Sequence, residues 1–281
     1  MREIDVKEIA AFLEEAAGRI AHVYSLDILT SLEKAKESET KELSVRALEM
    51  LVENARIAQE KTIPICQDTG MAIVFLTIGQ DVHFTGGNLY DAVNEGIARG
   101  YMNSFLRASI IDDPLFERKN TGNNTPAVIY STIVPGDKVE VELMAKGFGS
   151  ENKSRIAMLT VADGIEGVER FVLETIAQAG PNACPPFIVG VGIGGSFDSC
   201  ALLAKKALLR PLDTPNPNES YRLLEERLLA KANQLKVGPL GFGGVNTALK
   251  VQVEYAPTHI AGLPIAVNMC CHACRHAKVV I

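Results

Sequence analysis

Residues 187–195, FIVGVGIGG, are apolar throughout and rich in branched side chains and glycine. Such a run suits a strand buried within a sheet, and the chain must supply layers to cover it. Helices are available. Ile9, Phe12, Leu13, Ala16 and Ile20 recur at spacings of three and four, which places them on one helical face. The first 60 residues read as helix almost throughout, with further stretches near 26–36 and in KELSVRALEMLVENARIAQE, until Pro64 stops the pattern. MAIVFLTIG, ended by Gly79, suits a second buried strand. Asn88 reads as the N-cap of a helix from Leu89 to about Ala108. TPAVIYSTIVPGDKVEVELMAKGFG reads as two strands joined at PGD, and Glu140 and Glu142 give the second a solvated face. Helices are expected at about 166–179, 197–209 and 218–235, with TALKVQVEYA and LPIAVNM as the last strands. The expected class is α/β with α+β mixing: a helical N-terminal region, then a mixed sheet flanked by helices. No repeat, low-complexity segment or linker interrupts the 281 residues, which are 47% hydrophobic, so a single domain over 1–281 is expected.

Charge and hydropathy narrow the function. A net charge of −6 argues against a nucleic-acid partner, which calls for a basic face. No run of 18 apolar residues is present, so no membrane span is expected. The N-terminus, MREIDVKEIAAFLEEAAGRIAHV, carries acids throughout and lacks the basic start and apolar block of a secretory signal. A cytoplasmic location follows as the expectation. Reducing pools there disfavour structural disulfides. Cys66, Cys184, Cys200, Cys270, Cys271 and Cys274 are then buried thiols, nucleophiles or metal ligands.

GVGIGG contains Gly190, Gly192 and Gly195 at the G-x-G-x-x-G spacing of a dinucleotide site. The acidic ribose partner should then close a second strand roughly 20 residues on. KKALLRPLD stands there and reads as a helix end, so a nucleotide-binding oxidoreductase is a weak alternative to tight strand–helix packing. GPLGFGG lacks the Lys-Ser/Thr of a P-loop and reads as a backbone turn or a substrate-facing loop.

ICQDTG places Cys66 in a polar loop, a setting more typical of a ligand than of core filling. Cys184 lies in another stiff loop, between Asn182 and Pro185-Pro186. Cys200, in SFDSCALLAKKALL, reads as an ordinary buried thiol. SFLRASIIDDPLFERKNTGNNTP supplies Arg107 and an Asn-rich loop, suited to carboxylates or to a solvated turn. His259 precedes a turn and is either functional or simply hydrogen-bonded structure. The tail, AVNMCCHACRHAKVVI, has C-x-x-C spacing in Cys271 and Cys274, with His272 and His276 nearby. A structural zinc would need a second local pair, and none is present, which weakens a zinc-stabilised interaction subunit. Thiols in three separated loops suit an iron–sulfur cluster with one open iron, though spacing alone does not establish it.

Taken in order, ICQDTG, LRASIIDDPLFERKNTGNNTPAVIY, KGFGSENKSR, ACPPFIVGVGIGGSFDSCALLAKKALLRP and GFGGVNTALKVQVEYAPTHIAGLPIAVNMCCHACRH resemble one family. It is the α subunit of two-subunit, iron–sulfur (class I) fumarate hydratases and the related L-tartrate dehydratases. The resemblance runs from about residue 8 to 278. It implies a [4Fe–4S] cluster held by Cys66, Cys184 and Cys271. The third ligand follows the family's Cys-Trp-Ala-x-Arg pattern, in which His272 here replaces tryptophan. It also implies that Gln67, Asp68, Arg107 and the backbone at Gly147 meet a small dicarboxylate, with His259 close by and Asp68 and His259 as catalytic residues. The rest of the pocket, including the proton-abstracting group, would come from a separate β subunit, in an α₂β₂-type assembly. Reversible hydration of fumarate to (S)-malate is the activity implied, with L-tartrate dehydration as the alternative.

Overall fold

The protein is described by a computed structural model covering residues 1–281. Its elements begin β1 (Arg2–Asp5), α1 (Val6–His22), α2 (Leu26–Ser38), α3 (Glu42–Lys61), β2 (Met71–Gly79), β3 (Val82–Thr85) and α4 (Leu89–Asn103). They continue β4 (Val128–Val134), β5 (Val139–Lys146), a short α5 (Phe148–Glu151), β6 (Arg155–Leu159), α6 (Gly164–Ala179) and β7 (Phe187–Gly195). The last are α7 (Phe197–Ala207), α8 (Glu219–Gln234), β8 (Ala248–Thr258), β9 (Leu263–Cys270) and β10 (His276–Val280). The class is mixed α/β, as expected from the sequence. No helix is long and apolar enough to cross a membrane. The chain forms two compact units, Met1–Ser25 with Ala55–Phe148 and Arg275–Ile281, and Leu26–Asn54 with Gly149–Cys274.

The first unit is built on a sheet of order β10-β5-β2-β4, in which β5 runs antiparallel to β10 and β2, and β2 parallel to β4. The predicted face of α1 does the packing. Ile9, Leu13, Ala16 and Ile20 are buried against Val74, Leu76, Val141 and Leu143 of the sheet and Val93 and Ile97 of α4. Asn88 caps α4 by accepting the Tyr90 and Asp91 N–H groups. The helix stops at Asn103, short of Ala108, and Phe105 then takes a left-handed φ of 52°. Three features differ from the sequence reading. Arg2–Asp5, expected to be helical, pairs in parallel with β3, being too short to display a period. β2 lies between β4 and β5, so the PGD connection joins strands that are not neighbours. Glu140 and Glu142 are half-buried because β10 adds an edge, with Lys278 Nζ 2.7 Å from the first and 3.8 Å from the second.

The second unit carries a sheet of order β6-β9-β7-β8, with β7 parallel to β8 and antiparallel to β9. Alternation along FIVGVGIGG explains its composition. Val189, Val191 and Ile193 face the core shared with α6 and α8. Gly190 and Gly192 face α7, where a Cβ would collide with the carbonyl oxygens of Ala204 and Cys200. The glycines are thus used by helix packing, and residues 208–213 are turn rather than strand, so the nucleotide site lacks its second half. Gly192→Ala should force α7 outward at a cost of about 1–3 kcal/mol. A thermal midpoint lower by several degrees is the expected result, and an unchanged midpoint would show that α7 can retreat freely.

Candidate functional site

In the first unit, strand direction gathers three segments at one end of the sheet. Met71 pairs with Lys146 and His276 with Met144, so the start of β2, the end of β5 and the start of β10 are neighbours. Cys66–Gly70 precedes β2, Gly147 and Phe148 follow β5, and Arg275 precedes β10. Both carboxylate oxygens of Asp68 are held by backbone. Oδ1 accepts the Gly70 N–H at 3.0 Å and Oδ2 accepts the Phe148 N–H at 2.8 Å. Gly147 lies against that carboxylate, where a Cβ would stand 3.1 Å from Oδ2. Arg275 Nη2 donates to the Asp68 carbonyl at 2.7 Å, and the Arg275 carbonyl accepts the Ala145 N–H at 3.0 Å.

The rest of the loop is pinned from below. The Tyr101 hydroxyl is shared between the carbonyls of Thr69 and Gly70, both at 3.0 Å, and Asn124 Nδ2 donates to Gly70 at 3.1 Å. Burial pushes the Tyr101 phenol above its usual range, against the opposing pull of the Arg275 cation, so it serves as a donor. Thr69 Oγ1 donates to the Arg107 carbonyl at 3.0 Å, which ties the Arg107 segment to the loop. Gln67 and Arg107 are exposed, and Cys66 and Asp68 half-buried. Gln67, Asp68, Arg107 and Gly147, singled out by sequence, therefore gather around one loop. Asn124 is fully buried and structural, its Oδ1 accepting the Ser109 N–H, so the Asn-rich loop is not a fully solvated turn at that position. The sequence reading gave no role to Tyr101, Asn124 or Arg275; only the Arg of the tail motif signalled any of them.

In the second unit, Ile188 pairs antiparallel with Cys270, so the Cys184 loop before β7 and Cys271 after β9 share one end of the sheet. The His272 N–H donates to the Cys184 carbonyl at 3.4 Å. Cys184 itself has a left-handed φ of 53° and an exposed side chain. GPLGFGG braces this loop: the Leu240 N–H donates to the Pro185 carbonyl at 2.8 Å and Gly241 packs on Pro181. Its far side is held by Ser44, donating to the Gly243 carbonyl, and by Glu39, which accepts the Val245 and Asn246 N–H groups. Burial opposes the Glu39 charge, yet hydrogen bonds from Asn246, Thr40, Lys41 and Val245 outweigh it and hold the carboxyl below its usual range. His259 lies elsewhere. It sits exposed in the turn after β8, where Thr258 pairs with Gly195, at the opposite end of β7 from Cys184. The Ala261 N–H donates to its Nδ1 at 3.2 Å, which leaves the neutral ring's proton on Nε2.

The six thiols divide by exposure. Cys184 is exposed and Cys66 and Cys271 partly so, whereas Cys200, Cys270 and Cys274 are buried. Burial raises the Cys200 thiol, whose Sγ faces the Phe197 carbonyl, and so disfavours the thiolate a metal requires. Cys274 Sγ is turned toward the Leu208 carbonyl at 3.8 Å, away from use as half of a C-x-x-C pair. Neither unit gathers three His, Cys, Asp or Glu side chains into a compact single-ion site. Cysteine thiolates hold iron–sulfur clusters, and the thiols left outside a packed core are Cys184 and Cys271 in the second unit and, taken by itself, Cys66 in the first.

The mixed α/β fold thus carries accessible loop thiols and a backbone-held carboxylate, and its glycine-rich strand packs on a helix rather than lying open to a nucleotide. Residues 10–280 match the family described as Fumarate hydratase (Fumerase). A "Putative L(+)-tartrate dehydratase subunit alpha" of Methanocaldococcus jannaschii is 41% identical over 256 residues, covering 89% of this chain and 90% of that protein. The L(+)-tartrate dehydratase subunit alpha of Escherichia coli K12 is 32% identical over 257 residues, covering 91% and 84%. The chain belongs to the fumarate hydratase (Fumerase) family, and with it to the hydro-lyases.

Proposed function

We propose that this chain, acting as one α-subunit domain over 1–281, is half of a cytoplasmic iron–sulfur hydro-lyase that interconverts fumarate and (S)-malate. The family match over residues 10–280 carries the reading. Cys66, Cys184 and Cys271 would hold a [4Fe–4S] cluster, and their accessibility supports that assignment. When bound, such a cluster supplies a Lewis-acidic iron with an open coordination position. The chain's own groups orient the dicarboxylate. Asp68, fixed by the Gly70 and Phe148 amides, accepts a hydrogen bond from the substrate hydroxyl without needing to reorganise. The half-buried Gly147, whose missing side chain lets a ligand approach its backbone, would meet a carboxylate, and Gln67 donates from the exposed face of the loop. Arg107 offers a planar fork to a second carboxylate. His259 is the other proposed substrate-side residue on the family resemblance, although within its unit it stands at the opposite end of β7 from Cys184. A β subunit, implied by the relatives' designation as subunit alpha, would complete the pocket.

L(+)-tartrate is the second reading, favoured by the relatives' names. Anaerobic co-expression with the β subunit, followed by assay on both substrates, separates the two. Higher kcat/KM on malate and fumarate supports the main reading. Preference for tartrate replaces it, and no turnover of either refutes the hydro-lyase. Arg107→Lys should lower kcat/KM about ten- to a hundredfold, because an ammonium cannot reproduce a charge-assisted fork worth roughly 1.5–3 kcal/mol. Kinetics within about twofold of wild type would remove Arg107 from the site.

A further inference from the structure

Arg275 is buried, with 3% of its surface exposed, and its side chain makes one hydrogen bond: Nη2 to the Asp68 carbonyl. Its Nε and Nη1 are also buried and have no hydrogen-bond partner. A guanidinium placed there for stability alone would spread its donors over several carbonyls, since each unsatisfied buried N–H costs free energy. This one is aimed at a single point. That point is the carbonyl of Asp68, next to Gln67 and two residues beyond Cys66. Its Nη2 also lies 3.7 Å from where a Gly147 Cβ would stand, beside the same carboxylate. Its own backbone is fixed by the Ala145 N–H, so sheet register delivers the cation beneath the loop.

We infer that Arg275 is a positioning residue for Asp68, holding the Cys66-Gln67-Asp68 main chain in the conformation that presents the loop to a dicarboxylate. It touches no reacting atom and acts through Asp68. The inference deepens the hydro-lyase reading and rests on it for the substrate, but the loop anchoring has a consequence of its own. The Gly70 and Phe148 amides donate to the Asp68 carboxylate, so they report whether the loop is held.

Two variants test this in the full chain and in the αβ enzyme. Arg275→Met keeps the stem and removes the charge and the donors, and Arg275→Lys restores one donor. In the chain, Arg275→Met should speed hydrogen exchange at Gly70 and Phe148 about tenfold or more, while amides of β7 exchange as in wild type. In the αβ enzyme it should lower kcat and kcat/KM together by about a hundredfold, as expected for a misplaced contact, with KM and iron content little changed. Arg275→Lys should recover a substantial part of both losses. Unchanged exchange at Gly70 and Phe148 would overturn the inference, as would a general loss of protection, thermal midpoint and iron that lysine fails to relieve. Faster loop exchange in an assembly whose wild type turns over neither malate nor tartrate would leave the anchoring intact and refute the hydro-lyase reading instead.

Discussion

Serine in place of Cys66, Cys184 or Cys271 is expected to remove most of the bound iron and sulfide and nearly all turnover. Each would supply one thiolate, and a serine hydroxyl is a harder and far less acidic ligand. The remaining thiols should tolerate the same change with their iron retained. Cys200, on α7, is fully buried with Ala204 against Ala266 of β9, so its variant should lose some stability through a misfitted core position. Cys274 is buried with its Sγ toward Leu208 and should be nearly neutral for the cluster. Cys270 is the informative neighbour. It ends β9, paired with Ile188 and 4% exposed, whereas Cys271 stands just beyond the strand and is partly exposed. Iron and sulfide analysis of six anaerobically purified variants checks the division. Loss of the cluster in Cys270→Ser with retention in Cys271→Ser would move the third ligand by one residue.

The chain purified alone should turn over malate, fumarate and tartrate poorly even with its iron in place. A dicarboxylate needs cationic clamps at both ends, and Arg107 is the single exposed cation proposed for this chain's half of the pocket. One missing charge-assisted contact corresponds to about 1.5–3 kcal/mol, or roughly 10–10²-fold in kcat/KM. Adding the β subunit should restore that factor, in an α₂β₂-type assembly, since two-fold symmetry is the commonest closed arrangement. Full activity of the isolated chain, measured by fumarate absorbance, would contradict a divided pocket.

Local patterns carried much of the fold. The three- and four-residue spacing of Ile9, Leu13, Ala16 and Ile20 marks the buried face of α1, because helix periodicity is set by neighbours along the chain. FIVGVGIGG is likewise legible as buried strand, and its glycines as packing. What escaped depends on distant pairing. β1 and β10 are short and acquire strand character only from β3 and β5. The same limit applies at the site. The family resemblance singled out the ligand cysteines, Asp68 and Gly147, but nothing local links Arg275 to Asp68, which meet only because β10 docks on β5. Asn124 reads as loop polarity in sequence, and its burial beneath Gly70 is a property of the folded unit.

The most direct measurement is the iron and acid-labile sulfide content of the anaerobically purified protein, taken with its absorption spectrum. About four irons and four sulfides per chain, with a broad band near ~400 nm, are predicted for a thiolate-held cluster. A colourless protein containing zinc and no sulfide would contradict the assignment of Cys66, Cys184 and Cys271, and with it the iron–sulfur hydro-lyase.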